Sequence, residues 1–100
     1  MVIIKNICND IENELKISED YAKKAVQYKL EYPSVAQCYL EYSNAHLSIM
    51  NGLHQEVVNL ITNYRKINGE PPAPMLAIYN YLHERFIEMA RDIKSLQEMF

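Results

Sequence analysis

Residues 46–57 read His46-Leu47-Ser48-Ile49-Met50-Asn51-Gly52-Leu53-His54-Gln55-Glu56-Val57, and the fold depends on whether the chain reverses at Asn51-Gly52. That dipeptide often marks a turn, and a turn there gives four short helices. The apolar residues argue against one. Ile49, Leu53 and Val57 keep helical spacing straight across the dipeptide, and a hairpin has no reason to preserve that phase. One long helix tolerates Gly52 at a cost of about 1 kcal/mol. Working outward, this helix 2 runs from about Val35 to Ile67, with the stripe Val35, Tyr39, Tyr42, Ile49, Leu53, Val57, Leu60 and Tyr64. At 1.5 Å per residue it is roughly 50 Å long, which suits an extended bundle.

Punctuation on either side sets the other two helices. Upstream, Tyr32-Pro33-Ser34 ends helix 1, because a proline disfavours helical backbone at the residue before it. Ser34 with Gln37 reads as a capping box for helix 2. Helix 1 spans about Asn9 to Glu31, with the stripe Ile4, Ile7, Ile11, Leu15, Ala22 and Ala25 extending to earlier residues. Downstream, Asn68-Gly69-Glu70-Pro71-Pro72-Ala73-Pro74 closes helix 2, with Gly69 placed for positive φ. The prolines then open helix 3, which spans about Ala73 to Gln97. Its stripe is Met75, Ile78, Tyr79, Leu82, Phe86, Met89, Ile93 and Leu96. Strand-like alternation is absent.

The composition agrees. The 100 residues are one domain's worth, 49% hydrophobic and 23% charged, with 2 Gly and 4 Pro. Few breakers over so long a chain favour helices over a sheet. The net charge is −3, and Lys and Arg are interspersed with acids, so the clustered basic face of a nucleic-acid binder is missing. The apolar start is too short for a signal peptide or a bilayer span, and the expected location is the cytoplasm. Cys8 and Cys38 lack a Cys-x-x-Cys spacing and read as small core residues of a reducing compartment.

Polar residues on apolar faces supply the candidate site. His46 falls near the centre of the helix 2 stripe, Ser18 near the centre of the helix 1 stripe and Glu14 inside it. If the two helices form a hairpin around Pro33, residues whose numbers total about 65 lie level. Ser18 then faces His46, and Glu14 is one turn away. The three groups satisfy one another as a buried polar layer, or form a metal or small-ligand site, or the facing differs and Glu14 reaches solvent. His54 and His83 lie at stripe edges about one turn apart in level, and read as surface residues or as further ligands. Eight tyrosines against two phenylalanines suit helix edges and interfaces, where a ring packs and its hydroxyl stays wet. No nucleophile–base setting and no Gly-rich phosphate loop is legible, so no catalytic residue is assigned and the chain is expected not to be an enzyme.

Two stretches carry a resemblance. Leu40-Glu41-Tyr42-Ser43-Asn44-Ala45-His46 through Leu53-His54-Gln55-Glu56-Val57-Val58 is one. Tyr64-Arg65-Lys66-Ile67-Asn68-Gly69-Glu70-Pro71-Pro72 followed by Tyr81-Leu82-His83-Glu84 is the other. They resemble small ferritin-like (rubrerythrin-like) helical proteins of bacteria or phage. The resemblance implies a bundle holding two iron or manganese ions through Glu and Glu-x-x-His ligands. His46 and His83 match the histidines, but Ser43 and Asn80 stand where the glutamates belong. A standard di-iron centre is therefore not expected. What remains is a reduced or inter-subunit site at His46 and Glu14, with His54 and His83 as remoter candidates for iron, manganese or zinc, or no metal at all.

The expectation is an all-α chain, residues 1–100 as one domain. It is an up-down bundle of three long antiparallel helices, ferritin-like and completed by self-association as a homodimer or higher oligomer. Its function is expected to be non-enzymatic assembly or interaction, with no nucleic acid, membrane or cofactor. The alternatives are a metal-binding protein or oxidoreductase, and a regulator that binds a partner helix along its tyrosine-rich edge.

Overall fold

A computed structural model describes residues 2–100, with the side chains of Val2, Met75 and Ile78 outside the description. It has three helices: α1 (Val2–Tyr28), α2 (Pro33–Asn68) and α3 (Ala73–Glu98), with no strand among the described residues. The Cα atoms span 56 × 18 × 17 Å. A helix of 36 residues such as α2 is about 54 Å long at 1.5 Å per residue, so α2 sets the length of the rod. No described helix is long and apolar enough to cross a membrane.

Gly52 lies inside α2, which passes through Asn51-Gly52 without a break. A Cβ added at Gly52 meets nothing within 4 Å. Gly52→Ala therefore gains helix propensity without a clash in the single chain, and is expected to raise stability by about 1 kcal/mol, read from the urea midpoint at a protein concentration low enough to keep the chain monomeric. A loss of stability would show that something covers this backbone. Gly69 is different. Its φ of 78° with ψ of −156° is a backbone region open almost solely to glycine, and it closes α2 with its N–H donating to the Arg65 carbonyl at 3.1 Å. Gly69→Ala is expected to cost about 1 kcal/mol in the same assay.

The turn between α1 and α2 corrects two expectations. α1 ends at Tyr28 rather than near Glu31, and α2 begins at Pro33 itself. Proline's fixed φ suits the first helical position, where its missing N–H has no partner to lose. Ser34 is therefore already inside the helix. The N-cap is Tyr32, which makes no side-chain capping bond, so the Ser34–Gln37 box does not form.

The α1 stripe is buried as expected: Ile4, Ile7, Ile11, Leu15, Ala22 and Ala25, joined by Cys8 and Ser18. On α3, Phe86 and Ile93 are buried, and Tyr79, Leu82, Met89 and Leu96 pack against the core. Met75 and Ile78, expected on the same stripe, lie outside the described side chains. The first half of the α2 stripe is rotated from its expected position, while further along Val57 is buried and Leu53 and Leu60 pack against the core as expected. The buried residues of α2 are Ala36, Ser43, Leu47, Met50, Val57 and Ile61, whereas Val35, Tyr42 and Ile49 are exposed. Cys38 is exposed with them rather than in the core.

Two features cause the rotation. α1 brings small residues, Ser18, Ala22 and Ala25, to the contact, and these pack best against the small residues Ala36 and Ser43. Large rings at Tyr39 and Tyr42 are left to flank that contact. α3 then covers the other side of the pair. It is tied to α1 by the Glu12–Arg85 ion pair at 2.9 Å, and to the turn after α1 by Lys29 Nζ donating to the Met99 carbonyl at 2.9 Å.

Candidate functional site

The polar layer forms, but with a different membership. Ser18 and Ser43 are both fully buried at 0% exposure. Each hydroxyl donates to the other's backbone carbonyl at 2.7 Å, and the two oxygens lie 3.1 Å apart. Because both hydroxyl hydrogens go to carbonyls, the oxygens face each other with lone pairs. Gln97 of α3 supplies a donor to that site, its Nε2 reaching Ser43 Oγ at 3.0 Å. The layer is closed: no buried side-chain nitrogen or oxygen among the described residues lacks a partner.

His46 bonds Glu14, not Ser18. Nδ1 of His46 lies 2.5 Å from Glu14 Oε2, with both side chains partly exposed. The expected register was one turn off. Ser18 is level with Ser43, so level residues total 61 rather than about 65. The cause is the shorter α1 and the earlier start of α2, which move the hairpin's midpoint back along the chain. The rotation of α2 also carries His46 from the centre of the stripe to its edge. An ionised carboxylate only accepts, so Nδ1 is the protonated nitrogen of this pair, and in the neutral ring the lone pair sits on Nε2. That nitrogen is a competent ligand or proton acceptor.

Tyrosines extend this edge. The Tyr21 ring stacks on His46 with centroids 5.7 Å apart and on Tyr39 at 5.9 Å, and Tyr39 stacks on Tyr28 at 5.9 Å. Lys24 places its ammonium 5.7 Å from the Tyr21 centroid and 5.6 Å from that of Tyr39, a cation–π arrangement. Glu14, Tyr21, Tyr28, Tyr39 and His46 thus form one aromatic-and-ionic ridge along the α1–α2 contact. The excess of tyrosine was the sequence signal for it, though not for its order.

The other two histidines meet between α2 and α3. The rings of His54 and His83 stack with centroids 5.0 Å apart, Tyr79 stacks on His83 at 5.7 Å, and the Tyr79 hydroxyl lies 3.5 Å from His54 Nε2. Stacked rings offer π faces, while chelation needs in-plane lone pairs to converge on one point. Beside them Val58, Ile61, Arg65 and Tyr79 line an open cleft of about 200 Å³, smaller than most ligand pockets. No group of three or more His, Cys, Asp or Glu that could hold a metal ion occurs among the described residues. The four ligand candidates stay as two separate pairs.

Burial, and then the charge of His83, push the His54 pKa below its ordinary 6.5. Burial, and then Cys8, raise that of Tyr79, and burial raises the Cys8 thiol, which makes it a poor nucleophile. The folded state therefore disfavours charged His54. Its contribution to stability is fully present above pH 6.5 and is lost as pH falls from there through the lower folded value. The melting temperature is expected to drop over this window, and His54→Gln to flatten the drop. An unchanged slope in the variant would assign the pH dependence elsewhere.

Comparison with protein-family models, with curated proteins and with solved structures finds no match to this chain, so every functional conclusion below rests on its own residues.

Proposed function

We infer that this chain is a non-enzymatic helical assembly protein. We read it as an up-down, ferritin-like bundle that offers one side of its α1–α2 pair to a protein partner. One observation carries the reading. Val35, Tyr42 and Ile49 are 46%, 51% and 48% exposed and stand seven residues apart, on one side of α2. Aligned apolar side chains left in water mark an interaction surface more often than scattered ones do. The charge pattern supports it. From Pro33 to Gln55 the one Asp, Glu, Lys or Arg is Glu41, and interface centres are depleted of charge.

Sedimentation velocity of the full chain from low to high micromolar tests this. A concentration-dependent oligomer is expected, and it would also count against the regulator with an open groove. A monomer throughout the range removes the assembly reading.

A metal-binding protein with a reduced centre is the second reading, favoured by the Glu14–His46 pair, whose Nε2 remains available as a ligand. One imidazole and one carboxylate are few ligands for iron, manganese or zinc, so a second copy would have to complete the set. The test is metal content after supplementation, with His46→Ala alongside. A folded, metal-free protein is expected, and stoichiometric metal lost in His46→Ala would transfer the assignment.

A further inference from the structure

We propose that the outer row of α2 pairs antiparallel with the same row of a second copy of this chain, about a two-fold axis passing between Ser43 and Asn44. The proposal rests on the assembly reading and adds the partner, the direction and the register.

The exposed row is longer than its three large members. Cys38, Ala45 and Gly52 are exposed between and beyond them. The order Val35, Cys38, Tyr42, Ala45, Ile49, Gly52 alternates steps of three and four residues, the spacing of a helix–helix seam. It also alternates large with small side chains. In an antiparallel pair the two classes of seam position lie opposite one another. With the axis between Ser43 and Asn44, Tyr42 faces Ala45 of the second copy, Ile49 faces Cys38 and Val35 faces Gly52. Every layer then sets a large side chain over a small one, which lets the two helices interdigitate. A parallel pair stacks Tyr42 on Tyr42 and Gly52 on Gly52, alternating clashes with gaps.

Gly52 supports this independently. It costs α2 stability, and nothing in its own chain lies within 4 Å of where its Cβ would be. The fold of one chain therefore gives no reason for glycine there, whereas a valine from a second helix does. The axis also fits α1. Since Ser18 is level with Ser43, the exposed Ile17 is level with Asn44, beside the axis. Lys24 comes level, within one turn, with Asp10 of the second copy, an opposite charge.

The full chain with Ile49→Cys tests the register, because the new thiol would face the native Cys38 of the second copy. Diamide oxidation is expected to give a covalent dimer on a non-reducing gel. The wild type, and Ile49→Cys with Cys38→Ser, are expected to stay unlinked. Ala45→Glu buries a charge against Tyr42 and is expected to weaken association roughly a hundredfold, with helical circular dichroism retained because the site is exposed in one chain. Gly52→Ala is expected to weaken pairing even as it strengthens the helix. An oligomer that survives Ala45→Glu, or a wild type that links through Cys38, overturns this register and leaves the assembly reading standing. A wild type that is monomeric at high micromolar overturns both.

Discussion

Replacing Ser43 by leucine is expected to destabilise the protein by about 3 kcal/mol, which for a domain of this size lowers the melting temperature by roughly 15 °C. Ser43 has no exposed surface, and its hydroxyl already lies 3.1 Å from that of Ser18. Each hydroxyl touches the opposite backbone at 2.7 Å, so the two helix axes run close together here. Ala22, Ala25 and Ala36 are buried around the same contact. A leucine has no room unless α1 and α2 separate, and separation uncovers those alanines. Ser43→Ala is the contrast. It removes one hydroxyl whose carbonyl partner also takes a bond within its own helix and whose donor, Gln97, is only partly buried, so about 1 kcal/mol is expected. Thermal melts by circular dichroism separate the cases. A leucine variant melting within a few degrees of the wild type would mean that the contact has slack.

Ile93→Ala is expected to cost about 3 kcal/mol, with the loss falling mostly on α3. Ile93 has no exposed surface and sits with Phe86 at the centre of the α3 stripe. The α1–α2 pair has its own hydroxyl layer and aromatic ridge. α3 adds to it through that apolar stripe, the Glu12–Arg85 pair and the longer reach of Gln97 and His83. Amide hydrogen exchange reads the difference. Protection in α3 is expected to fall about a hundredfold, since each 1.4 kcal/mol is a factor of ten, while the centres of α1 and α2 change little. An equal fall in all three helices would show that they open as one unit.

The helices were legible because their signals are local. Pro33, Gly69 and the Pro71–Pro74 cluster mark boundaries whatever the tertiary contacts, and the phase from Ile49 to Val57 settled the continuity of α2. Which side of α2 faces inward was less legible. Apolar periodicity weighs Val35, Tyr42 and Ile49 as core because they are large, but the partner helix offers alanines and a serine at the contact. Small residues on both sides win the centre, since they bring the backbones together. Ser43 illustrates the point. It read as a missing metal carboxylate, yet it is the fully buried partner of Ser18. The Glu14–His46 pairing needed a register correct to within one turn, and a few residues of turn length decide that. The stacking of His54 on His83 depends on rotamers, which no spacing rule reaches.

The 56 × 18 × 17 Å outline has a consequence for motion in solution. Helices of 27, 36 and 26 residues can lie only along the long dimension, so nearly all their N–H bonds are aligned with it. A body about three times longer than wide tumbles slowly end over end and quickly about its length. Bonds parallel to the long axis sense only the slow rotation. Nitrogen-15 transverse relaxation is therefore expected to be fast and nearly uniform through all three helices. It should step down together at Leu30–Glu31 and at Gly69–Glu70, where the backbone turns across the rod.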